Sequence, residues 1–159
     1  MLKRFVYISK VSTNFIVFED DVITYSNIIP FFANCLQKYK DHDSIAGICV
    51  YQFLNFEKKS TTLEPRLLKH FIPCGWATWK DSWQQIDIGL TDLPDFLKMR
   101  CLEDLSKSKG VQKRFHEYFY NLFLNPDLRG WDVRFMFSSL QNGCMSVAPN
   151  VNLIKNIGL

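Results

Sequence analysis

Short apolar runs alternate along the chain with longer segments in which apolar residues recur every three or four positions. The short runs predict β-strands at residues 5–8, 15–18, 45–53, 67–72 and 145–147. The periodic segments predict helices at residues 28–39, 79–86, 93–105, 111–124 and 131–141. Because strands alternate with helices, the pattern predicts an α/β fold with helices crowded into the second half of the chain.

Polar segments separate these predicted elements. Residues 55–67 are polar and lack periodicity, so they predict a loop. Asn142 and Gly143 form a signal that ends the last predicted helix. The chain from Pro149 onward predicts irregular structure, and we find no internal repeat in the sequence.

The composition is that of one globular domain. A chain of 159 residues can bury a single sizeable core, so we expect one domain over residues 1–159. Hydrophobic residues make up 47% and charged residues 22% of the chain, which excludes a disordered protein. A net charge of only +3, without a cluster of Lys and Arg, argues against nucleic acid as a partner.

Cysteine usage and hydropathy bear on the compartment. The five cysteines are widely spaced and include no CxxC pair, so they indicate free thiols in a reducing environment. We expect no secretory signal, and the longest apolar window, residues 45–54, is far shorter than the roughly 20 residues that span a bilayer. The expected location is the cytoplasm, with peripheral contact at the inner membrane face as an open alternative.

Glu19, Asp20 and Asp21 form an acidic triplet directly after the strand predicted at residues 15–18. In open α/β sheets, ligands and metals collect beyond the carboxyl ends of strands. Adjacent carboxylates repel one another, and Mg²⁺ or Mn²⁺ would neutralise them while leaving positions open for phosphate oxygens. By itself the triplet favours solvated loop charges over a metal site, and both interpretations stay open.

Three tryptophans fall within residues 76–83, directly after Gly75. Gly75 would allow a ligand to approach the backbone, and the indole of Trp76 would suit the apolar face of a sugar ring. The alternative is that the indoles fill a core beneath a turn from strand to helix. We favour the core for Trp79 and Trp83, which are four residues apart on a predicted helix, and a binding role for Gly75 and Trp76.

Trp131 and Asp132 open the last predicted helix. A carboxylate in the first turn stabilises the helix dipole by roughly 0.5 to 1 kcal/mol, so the sequence alone favours a capping role for Asp132. The alternative is a rigidly placed general base that takes a proton from an incoming hydroxyl. The amide-rich segment at residues 150–158 contains either turn-forming residues or polar groups around a ligand.

The sequence lacks the motifs of several common enzyme classes. The sequence contains no GxGxxG, GxxxxGK[ST] or GxSxG, which argues against Rossmann dehydrogenases, P-loop NTPases and α/β-hydrolases. The three histidines show no metal-ligand spacing. The aromatic side of the helix predicted at residues 111–124 favours a core face over a membrane-binding face.

The motifs in this order along the chain are a more specific signal of function than any one motif alone. The acidic triplet, Gly-Trp-Ala-Thr-Trp, Trp-Asp and the Pro-Asn…Asn-Ile-Gly tail together resemble GT-A nucleotide-sugar glycosyltransferases. The resemblance is closest to bacterial family-2-type enzymes related to the N-acetylglucosaminyltransferase that starts complex N-glycans. It runs from about residue 15 to the C-terminus and is weak at residues 55–70 and 87–125. It implies a Rossmann-like GT-A fold, with a mixed sheet flanked by helices.

The resemblance implies a cation at the acidic triplet. Asp21 matches the metal ligand of the DXD-type motif, which holds Mn²⁺ or Mg²⁺ against the diphosphate of the donor. Glu19 and Asp20 match the acids that contact the nucleotide sugar.

The resemblance also implies roles for the later motifs. Gly75 and Trp76 match a loop that lines the donor sugar. Asp132 matches the general base of inverting members, which reverses the preference for a capping role. Trp131, directly before it, is the further substrate-binding residue that we expect.

The implied activity is transfer of a sugar from a nucleoside-diphosphate sugar, with a UDP-sugar as the expected donor, to a glycan or glycolipid acceptor in bacterial glycan biosynthesis. Members of this family carry roughly a hundred further residues before the acidic triplet, which hold the base of the nucleotide. Here eighteen residues precede Glu19, so we expect a single incomplete domain, the metal- and acceptor-binding half of such an enzyme. It would self-associate through an exposed sheet edge. The alternative is a non-catalytic remnant or binding module that keeps the motifs without activity.

Overall fold

Strands alternate with helices in this computed structural model, which describes residues 10–51 and 63–158. In chain order the elements of this part are β1 (Asn14–Val17), β2 (Val22–Thr24), α1 (Ile28–Tyr39), β3 (Ile45–Cys49), β4 (Pro65–Leu68), β5 (Trp76–Trp79), α2 (Lys80–Gln84), α3 (Leu93–Lys98), α4 (Cys101–Leu105), α5 (Lys109–Leu124), α6 (Trp131–Gln141), β6 (Met145–Pro149) and β7 (Ile154–Asn156). The predicted α/β class is confirmed.

Within the described residues, five strands form the central sheet, in the order β1-β5-β3-β6-β4. Strand β5 runs antiparallel to both β1 and β3, whereas β3 and β6 are parallel and β4 is antiparallel to β6. A smaller sheet pairs β2 with β7 in antiparallel register. The central sheet is therefore mixed, as expected.

Helices cover both faces of the central sheet. Successive residues of a strand point to opposite faces, so neighbouring strand residues pack against different helices. Ala77 and Val147 pack in the same core cluster as the buried face of α1. Their neighbours Trp76 and Ala148 belong to the second cluster, which includes buried residues of α3, α5 and α6. The described chain thus forms three layers, with the sheet in the middle.

An aromatic cluster fills the larger of the two cores. The indole of Trp76 is fully buried and stacks on those of Trp83 and Trp131, with ring centroids 5.8 and 4.9 Å apart. Phe135 stacks on Trp83 at 5.8 Å, and Phe15 meets Trp76 edge to face at the same distance. These rings come from β1, β5, α2 and α6, so their packing fixes α6 against one end of the sheet.

Most predicted helices match the structure. α1 and α6 occupy the predicted residues, and α5 begins two residues early. The single helix predicted at residues 93–105 is wrong, because Arg100 has a left-handed φ of 60° and separates α3 from α4. No helix among the described residues has the length and apolar character needed to cross a membrane.

The strand predictions need more correction. Residues 76–79 form β5 rather than a turn that leads into a helix, and the tail predicted as irregular contains the end of β6 and all of β7. Strand β4 covers part of the predicted loop, and β2 was not predicted. Strands β2 and β7 have only three residues each, too few for a periodic pattern to be recognised alone. The strand predicted at residues 5–8 lies outside the described residues.

Replacing Phe135 with Ala should strongly destabilise the protein. The ring is 1% exposed and contacts Phe71, Trp76 and Trp83, so its removal leaves a cavity among rigid rings. We expect a loss of about 3–5 kcal/mol in the free energy of unfolding, and a smaller loss for Phe135→Leu, which fills part of the space. Denaturant unfolding measures both.

The control for this comparison is Ile29→Ala on α1. Ile29 is 51% exposed, so its truncation should change the free energy of unfolding by no more than about 0.5 kcal/mol. Equal losses in Phe135→Ala and Ile29→Ala would show that the aromatic cluster does not hold the fold together.

Candidate functional site

The acidic triplet lies between β1 and β2, at one end of the central sheet. Val17, the last residue of β1, pairs with Trp76 of β5. The Ile157 N–H donates to the Asp21 carbonyl at 2.8 Å, next to the ladder between β2 and β7. The segment after β6 therefore holds the triplet in place, which sequence analysis missed by predicting irregular structure there.

Asp132 comes to the same end of the fold from the first turn of α6. Burial raises the pKa of Glu19, and repulsion from Asp21, Asp132 and Asp20 raises it further. The structure thus brings together the four acidic residues that the sequence picked out. Gly130 occupies the N-cap position of α6, so Asp132 lies within the helix, where its charge also favours the dipole.

Other residues closely surround the carboxylate of Asp21. Among the described residues, its Oδ1 is buried and has no hydrogen-bond partner. Its Oδ2 lies so close to Gly158 that a Cβ at that position would collide with it. A buried carboxylate oxygen without a partner is costly, and a bound cation is one way to satisfy it.

These residues fit a hard divalent cation. Carboxylate oxygens suit Mg²⁺ and Mn²⁺, and such ions commonly take one or two carboxylates and fill their other positions with phosphate and water oxygens. Within residues 10–51 and 63–158, no group of three His, Cys, Asp or Glu side chains forms a complete protein-only metal site. By its chemistry, the Asp21 carboxylate can serve as one ligand of such a cation.

Two polar residues beside the acids were not assigned from the sequence. The Asn156 side chain donates to Cys74 Sγ at 3.6 Å, and its Oδ1 accepts the Gly158 N–H at 2.8 Å. Burial raises the pKa of the Cys74 thiol, and the nearby carboxylates add to this effect. Asn156 was visible in the amide-rich tail, whereas Cys74 had only its position before Gly75 as a signal.

Gly75 and Trp76 lie where the backbone leads into β5. Gly75 has a φ of +70°, and a Cβ there would come within 2.9 Å of Val50 Cγ2, so the position requires glycine. Trp76 has no exposed surface, and its indole packs inside the aromatic cluster. Its placement matches the core alternative considered for the tryptophans, and the donor-binding roles of both residues stay predictions.

An open pocket of about 690 Å³ lies beside the acids. Glu19 and Asp132 line one part of it. Ile88 and Leu128 also line it, and they are 51% and 46% exposed. Trp131, the expected substrate contact, is a lining residue as well. The pocket thus combines carboxylates with apolar surface.

A second pocket, of about 660 Å³, lies at the opposite end of the sheet. Thr13, Tyr39, His42, Trp79 and Asn142 are among the residues that line it. It contains none of the site residues predicted from the sequence. We therefore place the candidate site at the acidic end.

No protein-family model matches the chain, and no curated protein matches it either. The candidate site therefore rests on the residues themselves and on their arrangement.

Replacing Glu19 with Gln should stabilise the protein at neutral pH. The pKa of Glu19 is raised in the folded state, so its ionised form opposes folding. This penalty is fully present above the folded pKa and disappears as the pH falls below the ordinary value of 4.5. Denaturant unfolding at several pH values should show a variant that is more stable than the wild type at neutral pH, with a difference that vanishes on acidification.

Glu117→Gln on α5 is the matched control. Glu117 is exposed, and its Oε1 lies 3.9 Å from Nζ of Lys113. This surface ion pair should contribute little to the free energy of unfolding at any pH. If Glu19→Gln were less stable than the wild type at neutral pH, Glu19 would make a favourable interaction that outweighs the repulsion.

Proposed function

We propose that the protein is a divalent-metal-dependent glycosyltransferase of the GT-A type. It transfers a sugar from a nucleoside-diphosphate sugar to a hydroxyl of a glycan or glycolipid acceptor. The observation that carries this proposal is that Asp21 and Asp132 both lie close enough to Glu19 to raise its pKa, and that Glu19 and Asp132 line one pocket. The reaction needs a cation site and a base side by side.

Asp21 is the residue to hold Mn²⁺ or Mg²⁺, and its buried Oδ1, which has no hydrogen-bond partner in the described part of the chain, supports this role. When bound, the cation supplies Lewis-acid stabilisation of the negative charge on the departing nucleoside diphosphate. Glu19 and Asp20 lie next to it in the chain and contact the nucleotide sugar.

Asp132 is the general base. It takes the proton of the acceptor hydroxyl while the acceptor oxygen forms a bond to the anomeric carbon of the donor. The bond from that carbon to the diphosphate oxygen breaks, and the nucleoside diphosphate leaves with the bonding electrons. One displacement of this kind inverts the anomeric configuration. The first turn of α6 suits this role because stacking of Trp131 on Trp76 holds it rigidly.

A second candidate is a non-catalytic binding module that keeps the motifs. The observation in its favour is the fully buried indole of Trp76, which leaves that ring no surface to offer a donor sugar. The two candidates differ in whether the acidic residues support chemistry or only binding.

Two substitutions should separate the roles of the acids. Asp21→Asn should abolish Mn²⁺ binding and sugar transfer together, because the neutral amide cannot neutralise the cation. Asp132→Asn should keep Mn²⁺ binding and lower kcat by about 100-fold or more, because the proton acceptor is lost. Isothermal titration with Mn²⁺ measures the first property, and release of UDP from UDP-sugars with added glycoside acceptors measures the second.

Asp41→Asn is the control, since Asp41 is an exposed residue in the turn after α1. It should match the wild type in both assays. Mn²⁺ binding by the wild type without any transfer would favour the binding module, and unchanged Mn²⁺ affinity in Asp21→Asn would remove that residue from the cation site.

A further inference from the structure

Arg134 is a buried cation with an unusual set of partners. It lies on α6, two residues after Asp132, and is 1% exposed. Its guanidinium donates to the carbonyl of Ile88 through Nη1 and, through Nη2, to the carbonyls of Pro126 and Leu128 at 3.0 and 3.3 Å. Among the described residues it forms no ion pair with a carboxylate. All of these partners are therefore backbone oxygens.

The three carbonyls belong to two different loops. Ile88 lies in the segment between α2 and α3, and Pro126 and Leu128 lie in the segment between α5 and α6. Both loops line the pocket that also contains Glu19 and Asp132. One side chain thus ties two parts of the pocket lining to the helix that carries the proposed base.

The lining held in this way presents apolar side chains. Ile88 and Leu128 are both about half exposed, although each is a large hydrophobic residue. Asp127 and Arg129 also line the pocket, and Asp132 together with the two apolar side chains suits a ligand that has both a hydroxyl and an apolar group. A glycoside with an apolar aglycone has both.

We propose that Arg134 is a positioning residue that holds the two loops in place, so that the pocket seats an acceptor glycoside with its apolar aglycone against Ile88 and Leu128. Naming the ligand an acceptor rests on the proposed function. The clamp itself and the apolar lining rest only on the contacts of Arg134 and on the exposure of the lining residues.

The chemistry of arginine explains why this residue type occupies the position. A planar guanidinium presents several N–H groups in fixed directions, so it can bond carbonyls from two loops at once. A lysine ammonium keeps the charge but places its donors around a single nitrogen. Arg134→Lys therefore separates the geometry of the clamp from its charge, and Arg134→Met removes both.

The first measurement is hydrogen exchange of the intact chain. In both Arg134 variants we expect faster exchange at residues 86–90 and 125–130, with α1 unchanged as the internal reference. Arg114→Met is the matched control, since Arg114 is exposed on α5 and should leave all three segments as in the wild type. Unchanged exchange in both loops of Arg134→Met would overturn the clamp.

The second measurement is binding of two probes, phenyl and methyl β-D-glucopyranoside, followed by NMR. The wild type should bind the phenyl glycoside more tightly, and both Arg134 variants should weaken it by about tenfold while changing the methyl glycoside little. Leu128→Ser should also lose the preference, although it keeps the carbonyl that Arg134 bonds. Equal affinity of the wild type for both probes, or unchanged phenyl affinity in Arg134→Lys, would overturn the proposal.

Neither probe requires a cation or a nucleotide sugar, so failure of sugar transfer leaves this test intact and refutes only the proposed function. Where transfer is measured, Arg134→Lys should raise KM for the phenyl glycoside and leave KM for the UDP-sugar as in the wild type. A general loss of stability would instead accelerate exchange in α1 as well, and that result in Arg134→Lys would overturn the positioning role.

Discussion

The structure depends on the packing of aromatic rings around Trp76. That indole lies between the sheet and α6, where it stacks on Trp131 and meets Phe15 of β1. Large rigid rings bury much apolar surface and have few alternative arrangements, so they fix both the distance and the angle of α6 relative to the strands. Because Asp132 follows Trp131 directly, this packing also decides that the start of α6 lies next to the acidic triplet. The packing of the aromatic core therefore also sets the position of the candidate site.

Repulsion between neighbouring carboxylates raises the free energy of the folded state. Two of the four acids show this cost. Burial and repulsion raise the pKa of Glu19, and Asp21 Oδ1 is left buried without a partner among the described residues. The ladder between β2 and β7 maintains this arrangement with backbone hydrogen bonds that do not depend on the charges. Buried carboxylates that repel one another are typical of functional sites, where a bound ligand supplies the interaction that stabilises them. A cation bound with a phosphorylated donor would supply it here.

Hydrogen bonds from Arg134 hold the other side of the pocket in place. Arg134 satisfies its buried charge with three carbonyls, and in doing so it ties together the two loops that carry Ile88 and Leu128. Ile88 and Leu128 stand exposed on those loops beside the carboxylates. The proposed transfer reaction uses both properties, since the carboxylates suit a cation that binds the donor diphosphate and the apolar part suits the acceptor.

The sequence by itself determined the α/β class, the bounds of α1 and α6, and the four acidic residues of the candidate site, because long periodic segments and charged motifs are visible locally. It did not reveal β2, β5 or β7, since strands of three or four residues become strands only when a partner supplies the hydrogen bonds. It also did not reveal Cys74 or Arg134, whose surroundings are formed by residues distant in the chain. Only the tertiary structure decided that Asp132 lies near the triplet and that Trp76 is buried, because both follow from how α6 packs on the sheet.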